Sequence, residues 1–181
     1  MITGLLIAIN ILVFYFCNMQ YYDAALNQFF LAFGLNEYTM SNPLSWVTSM
    51  FIHGSAAHIG MNMFVLLQCG IMLEKNISKF FYLFLYFICG LAGSFASVLF
   101  IKHTGASINV IGASGAIFGL LAYTSIVNKS FSTFLVEAGV FHAIIYFLQL
   151  PIAWFAHLGG AIMGLILALI FGWQQTKTIR I

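Results

Sequence analysis

Charge is what this chain has least of. Its 181 residues include six Lys+Arg and four Asp+Glu, 6% in all, where soluble domains carry roughly a quarter. With 62% apolar residues and a mean hydropathy of +1.03, it cannot assemble a water-facing surface. The formal charge of +2 comes with no basic patch, which excludes nucleic acid as a partner. Cysteine is scarce too. Cys17, Cys69 and Cys89 are an odd number, lie in apolar runs and show no metal-ligand spacing, so they read as buried small hydrophobes. The only two prolines, Pro43 and Pro151, fall between apolar runs. A removable leader is not expected: the segment after Met1 has no Lys or Arg ahead of its apolar run, and no small-residue cleavage site before Tyr21-Tyr22-Asp23.

What is there is a polytopic membrane protein. A helix needs about 20 apolar residues to cross hydrocarbon, and six runs serve: residues 2–20, 55–73, 79–101, 113–127, 131–148 and 153–173. The expected fold is all-α, a six-span bundle making one membrane domain over 1–181, with no extramembranous domain ahead of the first span. Residues 21–43 are more polar yet keep Phe29-Phe30-Leu31-Ala32-Phe33. They read as a long loop lying partly in the interface, with a short surface helix. Pro43 suits the first turn of a new helix, where its missing N–H costs nothing. The fourth run is too short to cross alone against lipid and is tolerable only inside a bundle.

Six crossings put both termini on one side, together with Lys75, Lys79, Lys129, Lys177 and Arg180; the other side has Lys102, Asp23 and Glu37. That bias places the termini in the cytoplasm. The starts of the fourth and sixth spans and the lead-in to the second then meet near the outer face. Gly115 and Gly119 stand four apart on the fourth span, and Gly160 and Gly164 do so on the sixth. Small residues at this spacing let two backbones approach closely, within a subunit or between two.

Those glycine faces begin beside Ser114, in Gly112-Ala113-Ser114-Gly115, and beside His157. Imidazole can take the proton of a serine hydroxyl and hand it to a leaving amine. The usual third member is a carboxylate, but Asp23, Glu37, Glu74 and Glu137 all lie in distant loops or at the wrong ends of spans. A Ser–His dyad is therefore expected, its imidazole held by packing. His58 and Asn62 share one helical face, with His53 just ahead of that helix. Together with the N–H groups at the start of the fourth span they are candidates to hold an oxyanion. His103 lies in a loop. His142 sits inside the fifth span without an evident partner and reads as a packing or hydrogen-bonding residue.

Three motifs, His53-Gly-Ser-Ala-Ala-His58-Ile-Gly-Met-Asn62, Gly112-Ala113-Ser114-Gly115 and Ala156-His157-Leu158-Gly159-Gly160, resemble the rhomboid family of intramembrane serine proteases. Their order and their assignment to spans two, four and six fit that family's minimal six-helix core. The resemblance implies Ser114 as nucleophile and His157 as general base. It makes His58 and Asn62 oxyanion contributors, with His53 and Gly112 supporting. It implies substrates that are transmembrane proteins, cut near the outer boundary of a cell membrane (the bacterial inner membrane by likeness), and no cofactor or metal. Phe118 stands where members commonly have a Tyr against the catalytic histidine. Gly70-Ile-Met-Leu-Glu74 matches the family pattern, with Ser78 in place of a following Gly. The first-loop Trp-Arg pair is replaced by Trp46-Val47. Two other readings remain. A metal site from His53, His58 and His157 lacks a nearby acidic ligand and leaves the serine tetrad unexplained. A protease-like fold that only binds or escorts membrane proteins leaves both Ser114 and His157 without a purpose.

Overall fold

The computed structural model describes residues 1–20, 24–147 and 153–175. Asp23, Pro151, Lys177 and Arg180, which bear on orientation and on the last connection, lie outside them. The described elements are helices: α1 (Ile2–Gln20), α2 (Ala24–Phe33), α3 (Pro43–Thr48), a 3₁₀ turn (Ser49–Phe51), α4 (Ala56–Asn76), α5 (Lys79–Thr104), α6 (Ser114–Val127), α7 (Phe131–Phe147) and α8 (Trp154–Gln175). The six expected spans are α1, α4, α5, α6, α7 and α8. Of these, Ala56–Asn76, Lys79–Thr104 and Trp154–Gly172 are long and apolar enough to cross a membrane by themselves. Phe16, Phe64, Phe80, Leu99, Leu135 and Leu169 are among the large apolar side chains left exposed on the periphery. Water would make that girdle an aggregation surface, whereas hydrocarbon matches it. The chain is an integral membrane protein.

Local chemistry sets the helix ends. Ser55 and Ser78 accept the N–H of His58 (3.1 Å) and Phe81 (3.2 Å) as N-caps of α4 and α5. Asn42 does the same for Leu44 (3.1 Å), with Pro43 at the first position of α3. Two helices run further than the hydropathy predicts. Helix α4 continues through Glu74, Lys75 and Asn76, and α5 through Lys102 and His103 to Thr104. In both, basic residues occupy the last turn, where the exposed carbonyls favour a positive charge. Gly105, at φ 67°, then closes α5. The Glu74 carboxylate reaches the start of α1, accepting the Ile2 N–H and the Thr3 hydroxyl (2.8 Å). It thus satisfies an unpaired helix terminus with a charge of the right sign.

Helix α6 is the centre. Every residue from Ser114 to Ser125 is buried, as expected of a helix apolar all round. Its 14 residues span about 21 Å, short of the roughly 30 Å hydrocarbon layer. The chain from Gly105 to Ala113 must therefore enter the bundle to reach its start. Val110 and Leu35 exchange backbone hydrogen bonds (2.8 and 3.0 Å) on the way. Helix α8 lies against α6 with almost no side chain between them. A methyl at Gly160 would fall on the carbonyl of Gly115, and one at Gly164 on that of Gly119. The two glycine pairs seen in the sequence are one seam, within a single chain.

The polar segment before α3 contains the expected short helix, α2, and is tied down without a Trp-Arg pair. Asn36 Nδ2 donates to Leu31 O (2.8 Å) and to Asn109 Oδ1 (3.0 Å), while Asn109 Nδ2 donates to Phe30 O (2.8 Å). Trp46 Nε1 donates to Met40 O (2.9 Å), and Ser94 Oγ donates to Trp46 O (3.0 Å), joining α3 to α5.

Candidate active site

The approach to α6 is set by one residue. Gly112 has φ 111°, a region closed to side chains, and a Cβ there would stand 2.7 Å from His58 Nε2. Its N–H donates to Ser49 O (2.8 Å). With its only donor committed, Gly112 serves the site by shaping the turn into α6. Ala113 follows as the N-cap, and its N–H points at His53 Nε2 (3.5 Å). Ser114 opens the helix. The first amide to bond back is that of Ile117, to Ala113 O (3.0 Å), so the amides of Ser114, Gly115 and Ala116 belong to the terminus whose donors have no intrahelical acceptor.

Ser114 Oγ lies 2.8 Å from His157 Nε2, both residues buried (6% and 5% exposed). Since α6 and α8 touch backbone to backbone, a serine at the head of one and a histidine in the first turn of the other have no alternative depth. Phe118, one turn below Ser114, lies parallel to the imidazole, with ring centroids 4.3 Å apart. Phe141 of α7 meets the same ring edge-on at 5.8 Å. The packing that the dyad reading requires is present.

The sequence offers no partner for His142; the structure gives it two. Its Nδ1 lies 2.8 Å from Ala138 O and its Nε2 lies 3.1 Å from His157 Nδ1. Sequence reasoning missed this because the contact crosses from α7 to α8. The available signal was a second histidine at bilayer depth, where polar groups face the bundle interior.

The remaining candidates gather beside the α6 terminus. His53, 1% exposed, packs edge-on against His58 with centroids 4.9 Å apart. His58 covers Gly112. Asn62, fully buried, donates its Nδ2 to His58 O (2.9 Å), which leaves one amide N–H over, and its Oδ1 has no partner among the described residues. Neither His58 nor Asn62 is hydrogen-bonded to Ser114 among the described residues.

The family model described as Rhomboid domain matches residues 41–174. Among curated relatives, RHOMBOID-like protein 6, mitochondrial, of Arabidopsis thaliana is 31% identical over 72% of this chain and 46% of its own length. Rhomboid protease GluP of Bacillus subtilis is 30% identical over 70% of this chain and 25% of its own. Rhomboid protease AarA of Providencia stuartii is 26% identical over 78% and 61%. The chain spans about half or less of the length of the first of these relatives.

Proposed function

Because the chain belongs to the rhomboid family, we propose that it is an intramembrane serine endopeptidase, hydrolysing peptide bonds in or beside transmembrane segments of other membrane proteins. The observation that carries the reading is the 2.8 Å contact between Ser114 Oγ and His157 Nε2 inside the bundle. Two relatives named as proteases, GluP and AarA, support it.

In this reading the Ser114 O–H bond breaks as its oxygen attacks the scissile carbonyl carbon, and the proton passes to His157 Nε2. Negative charge gathers on the former carbonyl oxygen. The amides at the start of α6 and the spare Asn62 N–H are the nearest built-in donors for it, and His58 lines the same side. Such donors act most strongly where water is scarce. The imidazolium then protonates the leaving amine, and the amine departs. Water, deprotonated by the same ring, releases the acyl group and regenerates the serine. Phe118 holds the ring in plane throughout.

Orientation follows from charge. Lys75, Lys79 and Lys129 stand at the bundle end opposite Ser114, so the positive-inside rule puts that end, with both termini, in the cytoplasm and opens the site outward. Substrates are then transmembrane segments that expose backbone near the outer boundary of the bilayer.

The test is direct. Ser114→Ala in liposomes should abolish cleavage of a transmembrane reporter, a loss on the order of 10⁶-fold, and abolish labelling by a fluorophosphonate probe, with the thermal unfolding transition unchanged. Turnover by that variant, or activity removed by chelators, would reject the serine mechanism.

A further inference from the structure

We propose that His142 is a positioning residue for this reaction: it sets which nitrogen of His157 carries the proton, and so turns His157 into a base aimed at Ser114. The proposal rests on the hydrolase reading for its consequence, but on hydrogen-bond geometry for its content.

Four groups lie in series. They are Ala138 O, the two nitrogens of His142, the two nitrogens of His157, and Ser114 Oγ, at successive separations of 2.8, 3.1 and 2.8 Å. A carbonyl oxygen can only accept, so the 2.8 Å contact with Ala138 O places a proton on His142 Nδ1. A histidine carrying one ring proton then has a lone pair on Nε2. Facing that lone pair at 3.1 Å is His157 Nδ1, which must be the donor. His157 in turn has its lone pair on Nε2, the nitrogen 2.8 Å from the serine hydroxyl. Every proton in the series is fixed by one backbone carbonyl. Which imidazole nitrogen is protonated is set by the bond the other one makes.

The opposite tautomer would point an N–H at the serine oxygen and could not accept its proton. In triads of this kind a carboxylate prevents that. Here no acidic residue among the described ones bonds to either ring: Glu37 bonds to Ser107 and Glu74 to the start of α1, while Glu137, although it precedes Ala138 in α7, lines a separate cavity with Thr133 and Asn128. A neutral ring does the orienting at smaller desolvation cost than a buried charge. During attack the Oγ–H bond breaks and a new N–H forms at His157 Nε2. The imidazolium then keeps donating its Nδ1–H to His142 until the Nε2 proton leaves with the amine. His142 touches neither substrate nor reacting atoms. Its ring packs edge-on against His157, with centroids 5.1 Å apart.

The experiment compares wild type, His142→Phe and His142→Gln of the full chain in one detergent. Phe keeps a ring and removes the acceptor; Gln offers a carbonyl oxygen near the position of Nε2. Replacing a triad aspartate by its amide costs about 10⁴-fold in turnover. A partner without charge supplies orientation alone, so His142→Phe is expected to lower kcat by about 10- to 100-fold, by analogy with the outer-shell groups that orient metal-bound histidines. KM and the unfolding transition should be unchanged, and His142→Gln should recover most of the loss. Long-range proton–nitrogen NMR of labelled histidine should find the His157 proton on Nδ1 in wild type and His142→Gln, and moved toward Nε2 in His142→Phe. Wild-type kcat in His142→Phe, or a His157 proton that stays on Nδ1 in that variant, overturns the proposal. A wild-type chain that neither cleaves nor labels sinks the hydrolase reading instead, and the NMR result still decides the relay.

Discussion

Phe118 and His157 lie face to face, their ring planes parallel and their centroids 4.3 Å apart. The plate is supplied by α6, the same helix that carries Ser114, so a single element presents both the serine and the surface against which the imidazole rests. The hydroxyl of a tyrosine is not needed for this. Phe118→Tyr should keep turnover within a few-fold of wild type. Phe118→Ala should reduce kcat sharply, and should also lose about 3–5 kcal/mol of stability, as truncation of a buried Phe does. Steady-state kinetics and thermal unfolding on the two variants separate ring support from hydroxyl chemistry.

The α6–α8 seam leaves no room for a methyl group at Gly160, where a Cβ would meet the Gly115 carbonyl. Gly160→Ala should push the helices apart, cost about 1–3 kcal/mol and disable cleavage, because the serine–imidazole contact depends on that approach. Gly4→Ala is the control: nothing stands within 4 Å of the position, so the helix should gain about 0.5–1 kcal/mol with kcat unchanged. Cleavage by Gly160→Ala at the wild-type rate would show that the seam does not set the site.

Asn62 has one amide N–H beyond its bond to His58 O. If that N–H serves the oxyanion, Asn62→Ala should lower kcat by about 10²–10³-fold, or roughly 3–4 kcal/mol of transition-state stabilisation, a milder lesion than Ser114→Ala. An Asn62→Ala enzyme with unaltered kcat would remove the residue from the mechanism.

Outside the spans, the Ser107 hydroxyl donates to the Glu37 carboxylate and, with Glu37's own backbone, holds its pKa below the ordinary carboxylate value. The sign follows from linkage. A depressed folded pKa gives stability that is complete above the unfolded value of about 4.3 and is lost as pH falls through the lower folded value. Hydrogen exchange over residues 105–111, corrected for intrinsic rates, should therefore rise between about pH 5 and about pH 3. In Glu37→Gln, which cannot titrate, the rise should disappear.

Most of the fold could be read from hydropathy because a bilayer makes apolarity the dominant signal; what shifted were helix ends. Residues 74–76 and 102–104 look polar enough to leave a span, yet stay helical because their basic side chains suit the last turn. The closeness of Ser114 and His157 was legible from Gly115, Gly119, Gly160 and Gly164, whose spacing anticipates a seam that the structure contains. Gly112 shows the limit of that reading. Its place in the motif was evident, but that its N–H is consumed by Ser49 depends on a 3₁₀ turn far earlier in the chain. His142 was only partly legible for a similar reason. A histidine at bilayer depth points to the bundle interior, but its partner appears only when α8 folds back beside it.

Along the seam between α6 and α8 the opposing atoms are main-chain atoms, so the spacing of the two helices that carry hydroxyl and imidazole is registered by the polypeptide backbone. Side chains on the outer surfaces of the bundle are therefore free to drift with the thickness or composition of the host bilayer. A protein built this way can adapt its exterior to a new lipid environment without retuning its interior.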